Sequence, residues 1–132
     1  MIWMKVMINI GIIGSRTRDT LDDFNLVLSK VISLTIHGNI DTRKNFYTII
    51  SGGCPKGADS FARDIAKIIN IPIIEHLPEW DRFGIKAGLI RNTYIARDSN
   101  ILIACVSKDR KGGTEDTIRK YLKLGKDELY LV

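Results

Sequence analysis

Apolar residues recur along this chain in two rhythms, and their alternation predicts the architecture. Residues 6–13 form a dense run rich in β-branched side chains, read as a buried parallel strand. Residues 46–50, 71–77 (with Pro72 near the start), 100–106 and 128–132 read the same way, the last being short. Between them the period changes to that of a helix. Thr20 is suited to cap a helix whose apolar face is Leu21, Phe24, Leu28, Val31, Ile32 and Thr35 or Ile36, ended by His37, Gly38 and Asn39. Residues 39–45 then make a polar connection. Residues 61–69 and 86–97 form further helices, the latter with Ala87, Ile90, Tyr94 and Ile95 on one side. Thr114 is expected to cap a last helix that runs to Leu124 and stops at Gly125.

The resulting order, βαβαβαβαβ, has strands too apolar for a sheet open on one face. It predicts an α/β protein of three layers, α/β/α, on a mostly parallel sheet of about five strands. No repeat, linker or low-complexity stretch divides residues 1–132, so a single domain is expected.

Composition changes this picture little. Hydrophobic residues at 45% and charged residues at 27% are ordinary for a globular chain. A net charge of +5 favours anionic partners, but the basic residues are scattered, which fits a solvated surface better than a nucleic-acid face. The apolar start, Met1 to Ile8, lacks the basic region and cleavage site of a signal peptide and is broken at Lys5 and Asn9. A cytoplasmic protein without membrane association is expected. Cys54 and Cys105 lack the spacing of a metal or redox motif and read as reduced thiols. Cys54 has no neighbouring His and reads as a loop residue rather than a nucleophile. No metal site is expected from His37 or His76.

Candidate chemistry gathers where the predicted strands end. In a parallel sheet, ligands bind beyond the carboxyl ends of the strands. Those ends carry Gly14, Ser15 and Arg16; then Gly52, Gly53, Lys56, Gly57 and Asp59; then Trp80; then Gly112, Gly113 and Thr114. One glycine turn alone is a tight turn. Several at one sheet edge make a place where backbone N–H groups and helix dipoles meet a phosphate. The dinucleotide fingerprint GxGxxG is absent, and no GKS or GKT follows Gly57, so neither standard phosphate loop applies. Two further groups stand near this edge. Arg91 and Asn92 lie early in the third helix, in a segment where Gly84 and Gly88 replace better helix formers. Glu115 and Asp116 follow Thr114, either as first-turn acids that suit the helix dipole or as carboxylates at the lip of a pocket. Trp80 either stacks on a base or plugs the end of the sheet.

The ordered set of residues 50–59, Glu79-Trp80, 87–92 and 112–116 resembles the SLOG superfamily, and most of all its small DUF2493 branch. The likeness runs from Gly11 to about Leu124. It implies a Rossmann-like fold that binds nucleotides or nucleotide-derived ligands, with no other cofactor required, and homodimers are common in the superfamily. A dimer here would pack the helix carrying Ala87 and Gly88. Relatives include the "lonely guy" phosphoribohydrolases, in which an arginine and the glutamate of a PGGxGTxxE turn carry the cleavage, and the DNA-processing protein A family. Arg91 matches the arginine by position, and Asp116, beside Glu115, falls where the glutamate would be. The turn here lacks the PGGxGT form and has the shorter acid.

Three functions follow as expectations. The first is a nucleotide-binding sensor or module, with phosphate on the turns at 52–57 and 112–114 helped by Lys56 and Arg16, sugar or phosphate at Arg91 and Asn92, and base beside Trp80. The second is a nucleoside monophosphate phosphoribohydrolase using Arg91 with Asp116 or Glu115. The third is single-stranded nucleic-acid binding.

Overall fold

The computed structural model describes residues 6–37 and 45–132. The first five residues and the polar connection at 39–44, with Gly38, lie outside the described residues. In chain order the elements are β1 (Val6–Gly14), α1 (Leu21–Ile32, continued by a π-type turn over Ser33–His37), β2 (Asn45–Ser51), α2 (Ala58–Ile68), β3 (Ile73–Glu75), α3 (Trp80–Phe83), a 3-10 turn (Gly84–Lys86), α4 (Ala87–Asp98), β4 (Ile101–Cys105), α5 (Gly113–Lys123) and β5 (Leu129–Leu131). The five strands are ordered β3-β2-β1-β4-β5, and each neighbouring pair is parallel.

Side chains along the central strands alternate between two cores, as the pleat requires. Ile10, Ile12, Ile49, Ile101 and Ile103 pack with Val27 and Val31 of α1 and Phe61 and Ile65 of α2. Ile13, Ile50, Leu102 and Ala104 face the other way, onto Ile95 of α4 and Ile118 and Tyr121 of α5. A three-layer α/β/α sandwich results. Gly11 lets the end of α4 come close, since a Cβ there would stand 2.3 Å from Ser99 Oγ. The Tyr121 hydroxyl donates toward Asn100 O (2.6 Å) and Glu128 O (3.0 Å), and burial pushes its pKa up to about 12.

Several boundaries differ from the sequence-based expectations. The buried row of α1 is Asp23, Val27, Val31 and Thr35, whereas Leu21 is 72% exposed. Asp23 belongs to that row because it closes a capping box with Thr20 and pairs with Arg18 at 2.7 Å. On α4 the buried positions are Ala87, Asn92, Ile95 and Ala96, while Tyr94 stays outside. A polar residue replaces an apolar one there because Asn92 bonds the start of α5. β3 is only three residues long, and the loop expected at 78–84 contains the one-turn α3. α2 begins at Ala58, earlier than its apolar pattern suggests. Thr114 is not the cap of α5. Gly112 holds that position with φ 93°, and Gly113 already has helical geometry.

Candidate functional site

A cavity of about 370 Å³ opens at the carboxyl ends of β1 and β4, where the order of the strands reverses direction. Three loops and one helix wall it. The end of β1 supplies Ile13, Gly14, Ser15 and Arg16. The β2–α2 loop and first turn of α2 supply Cys54, Lys56 and Asp59. From α4 come Arg91, Asn92 and Ile95, and from the start of α5 come Lys111 to Thr114 with Thr117.

The starts of α2 and α5 differ from that of α1. In α1 the Asp23 N–H donates to the Thr20 hydroxyl and the Thr20 N–H to the Asp23 carboxylate, a closed capping box. α2 and α5 are capped by Gly57 and Gly112, and no side chain takes their first-turn donors. Gly112 has open space where a Cβ would stand. Gly57 instead presses on the β1–α1 loop, where a Cβ would meet Ser15 O at 2.8 Å, and its own N–H donates to Asp19 at 2.9 Å. Both uncapped starts therefore carry positive dipole ends beside one cavity.

The charges agree with this. Arg16, Lys56 and Lys111 line the cavity and make no hydrogen bond or ion pair among the described residues. Asp59 is the only acid in the lining. Its carboxylate accepts from the Cys54 N–H at 3.0 Å, the Ser51 hydroxyl at 3.3 Å and the Gly52 N–H at 3.4 Å, and so shapes the turn. Burial raises its pKa above the ordinary 3.8, with those donors and the Arg91 charge pulling the other way.

Arg91 is held rather than free. Its Nη1 donates to Gly52 O at 2.7 Å, and its Nε donates to Asn92 Oδ1 at 3.0 Å. Asn92, buried, passes the link on from Nδ2 to Gly113 O at 3.3 Å and to Asp116 Oδ2 at 3.1 Å. The chain Gly52–Arg91–Asn92–Gly113 thus couples the two glycine turns across the cavity floor.

Of the residues singled out from sequence, Gly14, Ser15, Arg16, Lys56, Asp59, Arg91, Asn92, Gly112, Gly113 and Thr114 come together in this lining. Gly52, Gly53, Gly57, Trp80, Glu115 and Asp116 do not line it. The space above Gly52 is filled by Arg91 and Asp59, at 2.5 and 2.9 Å from an added Cβ. A Cβ on Gly53 would meet Leu77 Cδ2 at 2.4 Å. Trp80 lies toward Gly88 on α4 and is 57% exposed. Glu115 pairs with Arg110 at 2.9 Å, and Asp116 with Lys120 at 2.9 Å and Arg119 at 3.4 Å. Ile13, Cys54, Ile95, Lys111 and Thr117 join the lining without having been singled out. Helical spacing signals two of them: Ile95 is four residues after Arg91, and Thr117 four after Gly113.

Among the described residues no three His, Cys, Asp or Glu side chains lie together in a group able to hold a metal. Nor is any helix among them long and apolar enough to cross a membrane.

Strand order and cavity position together define a Rossmann-like α/β protein. The chain is similar to the X-ray structure of TM1055, a Northeast Structural Genomics Consortium target. The TM-score is 0.57 at 16% identity, over 93% of this chain and 71% of that one, a likeness that shows the fold alone. No protein-family model matches the chain, and no curated protein does.

Proposed function

We propose that this chain binds a nucleotide or nucleotide-derived phosphate ligand in the cavity at the β1/β4 edge, as a sensor or binding module of SLOG type. One observation carries the proposal. Among the described residues, the two helix starts that open on the cavity are glycine-capped and have no side-chain cap bond, while α1 is closed by the Thr20–Asp23 capping box. Arg16, Lys56 and Lys111, without partners among the described residues, supply the counter-charge around those donors. The phosphate rests on the first turns of α2 and α5, and Arg91, tethered to Gly52 O, reaches the sugar or phosphate. Ordered motifs at 50–59, 87–92 and 112–116 support the superfamily assignment.

Cleavage of the N-glycosidic bond draws less support from the same residues. Asp116 and Glu115 are ion-paired along α5 and its loop and do not line the cavity.

The test is a panel of nucleoside monophosphates and dinucleotides, read by melting temperature and by release of free base. A ligand at a hundred times its Kd stabilises by about 2.7 kcal/mol. The shift is expected in the parent protein and is expected to vanish in a Lys56→Ala/Lys111→Ala double variant. An equal shift in both proteins, or none with any ligand, would remove the proposal. Base release abolished by Arg91→Ala would replace it with the hydrolase.

A further inference from the structure

We infer that Asp59 sets which oxyanion the cavity accepts: its carboxylate shares one proton with an oxygen of the bound anion, so phosphate, which carries a proton, is favoured over sulfate, which carries none. This rests on the reading of the cavity as a phosphate site. Asp59 stands in the first turn of α2 and is the one carboxylate that lines the cavity among the described residues, together with Arg16, Lys56, Arg91 and Lys111. Its Oδ1 accepts from the Ser51 hydroxyl at 3.3 Å and the Gly52 N–H at 3.4 Å, and its Oδ2 from the Cys54 N–H at 3.0 Å. An ionised carboxylate offers about four acceptor sites, so Oδ2 keeps one without a partner among the described residues. Arg91, whose charge acts on Asp59, directs Nη1 to Gly52 O and Nε to Asn92 instead.

A carboxylate in a cavity walled by cations and helix starts opposes any anion unless a proton lies between the two. Facing a fully ionised oxygen, it sets acceptor against acceptor and like charge against like charge. One proton turns that contact into a charge-assisted hydrogen bond, and either partner can hold it. The charged and titratable groups around Asp59 are Arg63 of its own helix, Cys54 and Lys56 of the β2–α2 loop, Arg16 of the β1–α1 loop, Arg91 of α4 and Lys111 before α5. Burial raises the Asp59 carboxyl above 3.8, though the Cys54, Gly52 and Ser51 donors and the Arg91 charge oppose this. A dianion seated beside it adds a like charge and raises it further. At about pH 8 hydrogen phosphate and sulfate are both tetrahedral dianions, and phosphate alone still bears a proton. With phosphate the shared proton arrives on the ligand. With sulfate it must be taken from solvent onto Asp59, which weakens binding at that pH.

The experiment is titration calorimetry of the whole chain with inorganic phosphate and with sulfate at about pH 8, in two buffers that differ in ionisation enthalpy. Phosphate is expected to bind at least about tenfold tighter than sulfate. Sulfate is expected to take up about one proton more than phosphate, a difference from which Cys54 and the lysines cancel because they face both anions alike. In Asp59→Asn, whose amide donates to either anion, the affinity ratio is expected to fall to about twofold or less. The proton count is read on the parent protein, so it decides the matter even where Asp59→Asn disturbs the β2–α2 turn. Equal affinity for the two anions, equal proton uptake, or a ratio unchanged in folded Asp59→Asn would overturn the role of Asp59 while leaving the anion site standing. Failure of both anions to bind would overturn the role and the site together.

Discussion

Gly52 is the position at which packing and site chemistry are most tightly joined, and Gly52→Ala tests that join. An added Cβ would stand 2.5 Å from Arg91 Nη1, 3.0 Å from Arg91 Cζ and 2.9 Å from Asp59 Oδ2. The side chain of Arg91 is flexible and would swing away, so the clash itself costs little. Swinging away breaks the 2.7 Å bond to Gly52 O and leaves Asp59 without its nearby cation. Losing a hydrogen bond from a charged donor costs about 1.5–3 kcal/mol. For a chain of this size about 2 kcal/mol lowers the melting temperature by roughly 8 °C. In an Arg91→Ala background the guanidinium is already absent and only the Asp59 contact remains. There Gly52→Ala should cost less than about 1 kcal/mol, a coupling of at least about 1 kcal/mol. The assay is urea unfolding of the four proteins of this double-mutant cycle. Gly113→Ala serves as a control, because its Cβ would meet Asn92 Nδ2 at an ordinary 3.5 Å and its cost should be near zero. Additive costs for Gly52→Ala and Arg91→Ala, within about 0.5 kcal/mol, would refute the tether.

Two further perturbations probe the scaffold and its titration. Lys126 Nζ donates to Ala96 O, Arg97 O and Ser99 O at 3.0, 2.7 and 2.7 Å, closing the carboxyl end of α4. Lys126→Met should lower the melting temperature by roughly 8 °C, about 2 kcal/mol, and a drop under about 1 °C would deny it that role. Asp59 has its folded-state pKa raised by burial above 3.8, so folding favours its neutral form. That contribution is fully present below 3.8 and is lost as pH rises through the folded pKa. Relative to the parent, Asp59→Asn should therefore gain melting temperature as pH rises above 3.8, and a relative loss over that rise would contradict the burial argument.

The architecture was legible because the central strands are buried on both faces, so they appear in the sequence as continuous apolar runs. Helix faces were read less well where a polar residue takes an inward position. Asp23 and Asn92 are buried because each bonds a neighbouring element, at Arg18 and at Gly113, which no periodicity records. The glycine turns announced where the sheet edge gathers, yet not what each glycine is for. Gly112 leaves space open, whereas Gly52 and Gly53 make room for Arg91 and Leu77. The tether from Arg91 to Gly52 spans 39 residues and depends on how α4 packs over β2. From sequence Asp116 and Glu115 read either as first-turn acids or as pocket carboxylates, and the first holds, with nearby lysine and arginine side chains claiming both. Trp80 lies over Gly88 because the short α3 turns it onto α4.

The measurement closest to the central claim is an NMR titration of backbone amides with pyrophosphate, a probe that carries charge without a base. The amides of Ala58, Asp59, Gly113 and Thr114, in the uncapped first turns of α2 and α5, are expected to shift together along one saturating curve. Those of Leu21 and Asp22, at the capped start of α1, are expected to stay in place. Shifts spread evenly over the basic surface, or confined to residues outside the cavity, would contradict an anion site at the β1/β4 edge.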